Sequence, residues 1–94
     1  MEERTAKRVR FSGTVQGVGF RYTATGIARK YDVVGYVMNL PDGGVELLVE
    51  GPENDVLLMI EELKAEMAGY IRRTDVEDLA PSGKYHRFTI RYAD

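Results

Sequence analysis

The apolar spacing of this chain changes period across the run Gly13-Thr14-Val15-Gln16-Gly17-Val18-Gly19, and that change limits the fold more than any other feature. Before it, from Thr5 to Val15, Val9, Phe11 and Gly13 alternate with Arg8, Arg10 and Ser12, the period-two pattern of a strand with one buried face. After it, Phe20, Ala24, Ile27, Ala28 and Tyr31 form one stripe along a helix of about three turns. A strand must therefore pass into a helix through a short turn built largely of glycine.

The remaining elements follow from the same two periods. Val33 to Asn39 and Val45 to Gly51 are rich in β-branched and aromatic residues, and Pro41-Asp42-Gly43-Gly44 between them carries turn chemistry, so they read as a hairpin. Pro52 suits a first helical turn, Glu53 and Asp55 suit the positive end of a helix dipole, and Val56, Met59, Ile60, Leu63 and Met67 form the stripe of a second helix before Gly69. Ile71 to Leu79 carries charges throughout, as an edge strand would. After the break at Pro81-Ser82-Gly83, Phe88, Ile90 and Tyr92 alternate with Arg87, Thr89 and Arg91 in a short final strand.

The order βαββαβ, with that terminal strand, predicts an α/β (α+β) sandwich of ferredoxin-like topology, two helices lying on one face of a mostly antiparallel sheet. A chain of 94 residues has room for one modest core, so residues 1–94 are expected to form a single domain. In this topology the first and second strands are parallel, with the third between them. Their C-terminal ends then share one edge of the sheet, and Asn39 becomes a neighbour of the glycine turn.

Composition removes much of enzyme chemistry. With no cysteine there can be no disulfide, thiolate metal site or thiol nucleophile, and the lone histidine, His86, cannot build a multi-histidine site. Metal ligation is therefore not expected to be the centre of the chemistry. A net charge of -2 gives no general support for nucleic-acid binding, and no strand carries the aromatic pattern of an RNA-recognition sheet. Arg4, Lys7, Arg8 and Arg10 are a local exception, read either as a solvated strand face or as a bias of potential towards anions. No apolar stretch approaches a membrane span, and the charged start, Met1 to Arg10, has no signal-like apolar region. A cytoplasmic protein is expected, monomeric, with an edge-strand dimer left open.

Gly13, Gly17 and Gly19 tolerate positive φ, which lets consecutive amide hydrogens turn into one hollow suited to an anion. A helix beginning near Phe20 would point its positive end at the same space, and the planar fork of Arg21 could grip two phosphoryl oxygens. Gly17-Val18-Gly19 fits neither the dinucleotide fingerprint nor a P-loop. Spacing alone leaves open the plainer reading, a tight connection followed by a solvated arginine.

The segments Gly13-Thr14-Val15-Gln16-Gly17-Val18-Gly19-Phe20-Arg21 and Gly35-Tyr36-Val37-Met38-Asn39-Leu40-Pro41-Asp42-Gly43-Gly44-Val45, with Gly51 closing the second, resemble the two signature segments of the acylphosphatases. The resemblance covers nearly the whole chain, including its ending in Phe88-Thr89-Ile90-Arg91-Tyr92. It implies hydrolysis of small-molecule acyl phosphates to a carboxylate and inorganic phosphate, with no metal and no organic cofactor. It implies that Arg21 and the backbone N–H groups of Val15, Gln16, Gly17, Val18, Gly19 and Phe20 hold the phosphoryl group while Asn39 positions the attacking water. The side chain of Gln16 is expected to brace the loop, and Glu46 and Glu50 to lie on a solvated sheet face. A noncatalytic phosphate-binding or regulatory module on the same fold is the alternative. So is a partner for a larger system that handles carbamoyl phosphate.

Overall fold

The alternation around Val9 becomes β1 (Arg4–Gly13), and the glycine turn leads into α1 (Phe20–Ala28). The hairpin is β2 (Val34–Asn39) and β3 (Val45–Pro52), followed by α2 (Glu53–Glu66), β4 (Ile71–Leu79) and β5 (Phe88–Arg91). The computed structural model describes residues 3–92; residues 1, 2, 93 and 94, which the single-domain expectation includes, lie outside the described residues. Several boundaries differ from the sequence pattern, α1 ending at Ala28 before Tyr31 among them, and two differ for local reasons. β1 stops at Gly13 because its pairing with β4 shifts register after Ser12. Pro52 sits before α2 rather than in its first turn, because pairing with Arg4 holds its backbone extended, at φ -57 and ψ 141.

The five strands lie in the order β4-β1-β3-β2-β5. β3 is antiparallel to both β1 and β2, so those two run parallel to each other, and β5 joins the far edge parallel to β2. The result is the expected ferredoxin-like sandwich with two helices. One face of the sheet presents Val9, Phe11, Val37, Val45, Leu47 and Val49, all fully buried, to the helices. α1 contributes Phe20, Ala24, Ile27 and Ala28 to this core, and α2 contributes Val56, Met59, Ile60 and Leu63. No helix among the described residues is long and apolar enough to cross a membrane.

The second face carries no helix, yet it is not simply solvated. Between β4 at one edge and β5 at the other, residues 80–87 must cross the sheet, and they do so over Ala6, Tyr36, Leu48 and Glu50, which are buried. Glu50 corrects the expectation of an exposed carboxylate, since it is only 2% exposed. Its two oxygens accept hydrogen bonds from Ser82 N (3.1 Å), Ser82 Oγ (2.7 Å) and Gly83 N (3.3 Å). A buried carboxylate is tolerated because fixed donors replace its water. Glu46 is half-buried and accepts a hydrogen bond of 2.7 Å from the Tyr36 hydroxyl. The Tyr36 ring packs against Tyr85 at 5.9 Å and lies 4.0 Å below the Arg91 guanidinium.

Two measurements test this face. Glu50→Ala leaves three donors without their acceptor and should cost about 1–3 kcal/mol in urea unfolding; a loss below about 0.5 kcal/mol would show that the crossing segment does not depend on the carboxylate. Burial, and then the hydrogen bond and charge of Glu46, push the Tyr36 phenol up to about 12. Its protonated form is thus favoured by folding, so this stabilisation is complete below the ordinary tyrosine value near 10 and vanishes as pH rises through about 12. The unfolding midpoint should fall across that window, and Tyr36→Phe should flatten the fall.

Candidate active site

Val45 on β3 pairs with Phe11 of β1 on one side and with Asn39 of β2 on the other. Phe11 and Asn39 therefore stand on one row, two strand spacings apart, or roughly 10 Å. β1 ends two residues beyond Phe11, at Gly13, so the turn that follows rises from the sheet edge on which Asn39 ends its strand. The path of that turn is set at several points. Thr14 N donates to Tyr70 O at 2.9 Å, Val15 is fully buried, and the ring of Phe20 meets that of Phe11 with centroids 5.0 Å apart.

Gln16 fixes the middle of the turn. Its side-chain Nε2 donates to the carbonyl oxygens of Leu40 (2.8 Å) and Gly44 (2.9 Å), tying the turn to the β2–β3 hairpin loop. Gly17 and Gly19 then take left-handed conformations, with φ of 77° and 79°. An L side chain at either position would be strained, costing roughly 1–2 kcal/mol. Gly19 is also the residue from which α1 starts. Among the described residues, no backbone or side-chain oxygen accepts from the amide hydrogens of Val15 through Tyr22; the first amide of this stretch to be bonded is Thr23 N, at 2.9 Å from Gly19 O. α1 has no acidic residue in its first turn. Its positive end thus meets no local negative charge.

These elements enclose a cleft of about 340 Å³ lined by Val15, Gly17, Gly19, Phe20, Arg21 and Asn39 together with Tyr22, Ile90 and Tyr92. The side chains of Gln16 and Val18 are absent from this lining. Gln16 is turned into the hairpin loop, and Val18 packs against the core. Arg21 is half-buried, its carbonyl accepts from Thr25 Oγ1 at 2.8 Å, and its guanidinium lies 5.3 Å from the centre of the Tyr92 ring. Among the described residues no carboxylate forms an ion pair with it. A planar cation beside a set of uncommitted amide donors can hold the oxygens of an anion of phosphoryl size.

Among the described residues, the other charged groups lie outside this lining. Lys7 pairs with Asp78 and Arg8 with Glu77, so carboxylates of β4 answer the basic run of β1. His86 lines a separate cleft with Arg29, Asp32 and Arg87, beside the start of β2. Among the described residues, no group of three or more His, Cys, Asp or Glu side chains could hold a metal ion.

Sequence reasoning missed Tyr22, Ile90 and Tyr92 as walls of the cleft. The usable signal was the period-two continuation from Phe88 and Ile90 to Tyr92, which puts the tyrosine on the helix-covered face. What could not be seen was that β5 lies parallel beside β2, with Met38 opposite Arg91 and the following row bringing Tyr92 level with Asn39.

The profile of the acylphosphatase family matches residues 7–90. An acylphosphatase of Thermotoga maritima is 42% identical over 88 residues, covering 93% of this chain and 97% of the relative. The crystal structure of an acylphosphatase from Bacillus subtilis superposes with a TM-score of 0.84 at 35% identity, covering 94% of this chain and 99% of that one. Full-length HypF, in its phosphate- and nucleotide-bound form, superposes with a TM-score of 0.83 at 29% identity, covering 97% of this chain but 12% of HypF.

If Gln16 sets the shape of the turn, Gln16→Ala should cost about 1–2 kcal/mol of stability through two lost hydrogen bonds. Amide exchange at residues 40–44 should quicken in the same variant. Unaltered exchange there would show that the two loops are held independently.

Proposed function

The chain belongs to the acylphosphatase family, hydrolases of acyl phosphates, and from that premise we propose that the cleft between the β1–α1 turn and the end of β2 performs the reaction, as part of one domain spanning residues 1–94. What supports this reading is that Val15, Gly17, Gly19, Phe20, Arg21 and Asn39 line one cavity and that, among the described residues, the amides of Val15 to Phe20 have no acceptor.

Each part has a role that the substrate's chemistry requires. The phosphoryl oxygens lie against the amides of Val15, Gln16, Gly17, Val18, Gly19 and Phe20, while Arg21 neutralises charge that grows on them during transfer. The carboxamide of Asn39 presents an acceptor and a donor to one water molecule and holds it for attack opposite the acyl oxygen. The new bond joins the water oxygen to phosphorus. The bond that breaks joins phosphorus to the acyl oxygen, which leaves with its electron pair as a carboxylate, and the water's proton passes to a phosphoryl oxygen. A carboxylate departs without being protonated, so no side chain has to act as a general acid. This fits a cleft lined, among the described residues, by no carboxylate, histidine or thiol.

Hydrolysis of acetyl or benzoyl phosphate by the purified protein is the direct test, with a chelator present throughout. Activity should persist under chelation. Arg21→Ala should lower kcat/KM by about 10²- to 10³-fold, the usual consequence of removing a donor aimed at transition-state charge. Asn39→Ala should lower kcat while leaving the inhibition constant of inorganic phosphate nearly as it was, because it acts on the water. An Arg21→Ala enzyme within a few-fold of the parent would remove Arg21 from this role.

A further inference from the structure

Tyr22 and Tyr92 are the two most exposed large hydrophobic side chains among the described residues, at 81% and 72%, and both line the same cleft. Large exposed aromatic rings that share a concave site mark contact with something apolar more often than chance placement does. The position of the rings says what that something is. Tyr22 follows Arg21 in the first turn of α1, and the ring of Tyr92 lies against the Arg21 guanidinium at 5.3 Å. Ile90, packed on the core, lies two residues before Tyr92 and forms the floor near it. The cleft is thus lined in one part by the residues of the turn and Arg21, and beside Arg21 by two exposed tyrosines.

An acyl phosphate has the same division. A single bridging oxygen separates phosphorus from the acyl carbon, so a phosphoryl group seated on the donors puts the acyl substituent within a few ångströms of Arg21. The residues next to Arg21 in the cleft are the tyrosines. We propose that Tyr22 and Tyr92, over Ile90, form the acyl-binding wall of this enzyme and favour flat, apolar acyl groups of the benzoyl type over the acetyl group. This rests on the functional reading above. Aromatic faces recognise a second ring through offset or edge-to-face packing and through burial of apolar area, and neither is available to a methyl group to the same degree. The Arg21 contact adds rigidity to the Tyr92 ring, because a cation above an aromatic face is attracted to it.

The test compares kcat/KM for benzoyl phosphate and acetyl phosphate in the parent protein and in Tyr22→Ala, Tyr22→Phe and Tyr92→Ala. The parent should prefer the benzoyl substrate. Tyr22→Ala should lower the benzoyl-to-acetyl ratio by roughly 3- to 10-fold, the range expected for losing one ring–ring contact. Tyr22→Phe should keep the ratio within about two-fold, since it retains the ring. Tyr92→Ala should lower both rates by disturbing Arg21 and should lower the ratio as well. Because Tyr22 is solvent-exposed, its variants should fold, and Tyr22→Ala decides the matter even where Tyr92→Ala is unstable. A ratio unmoved by Tyr22→Ala overturns the acyl wall and leaves the phosphoryl site standing if Arg21→Ala is still impaired. A parent protein that hydrolyses neither substrate overturns the functional reading and the acyl wall together.

Discussion

β3 lies between β1 and β2, and Val45 is bonded in register to Phe11 on one side and Asn39 on the other. Nearly everything at the candidate site depends on this arrangement. Because both neighbours are antiparallel to β3, β1 and β2 end at the same edge. The turn leaving β1 and the last residue of β2 are then held at a separation fixed by backbone hydrogen bonding rather than by the turn's own stiffness. A slip of one residue in either pairing would send Asn39 to the other face of the sheet, away from α1. Burial of Val37, Val45 and Leu47 on one face makes such a slip costly, so hydrophobic packing specifies the geometry of a polar site.

The turn itself is shaped at its ends and left open at its centre. Val15 and Phe20 are buried, Thr14 is bonded to Tyr70, and Gln16 reaches the hairpin loop. Between those anchors Gly17 and Gly19 adopt positive φ, and their amides are not spent on internal bonds. A preformed set of donors costs little to organise when charge develops in front of it, which is the physical basis of electrostatic catalysis. To these donors the functional reading adds only Arg21 and Asn39, since a carboxylate leaving group removes the need for acid catalysis.

The opposite face of the sheet answers a different constraint. β4 and β5 occupy the two edges, so the chain between them has to cross all the intervening strands, and the face without helices becomes partly covered. Glu50 is the point of attachment, with Ser82 and Gly83 as its donors. This crossing delivers β5 to the edge beside β2, and β5 in turn delivers Ile90 and Tyr92 to the cleft. A segment that looks like a loop at one end of the molecule thereby determines a wall of the site at the other.

The strands and helices were legible because the apolar residues keep strict local periods: two around Val9 and Phe88, and helical spacing from Phe20 and Val56. Their order was enough to specify the ferredoxin-like sandwich. Gly17 and Gly19 announced a turn with positive φ, which both adopt, since that need is written in the residue itself. The role of Glu50 was not legible, because its partners are more than thirty positions away and only the crossing segment covers it. Nor were Tyr22 and Tyr92, whose exposure looks ordinary until both rings are seen to border one cleft. Local chemistry, periodicity and turn preference were thus settled by the sequence. The neighbourhood of the turn and Asn39 followed from the predicted strand order; that Tyr92 joins them was settled only by the sheet, because the edge taken by β5 and its register are products of long-range hydrogen bonding and of the burial of a shared core.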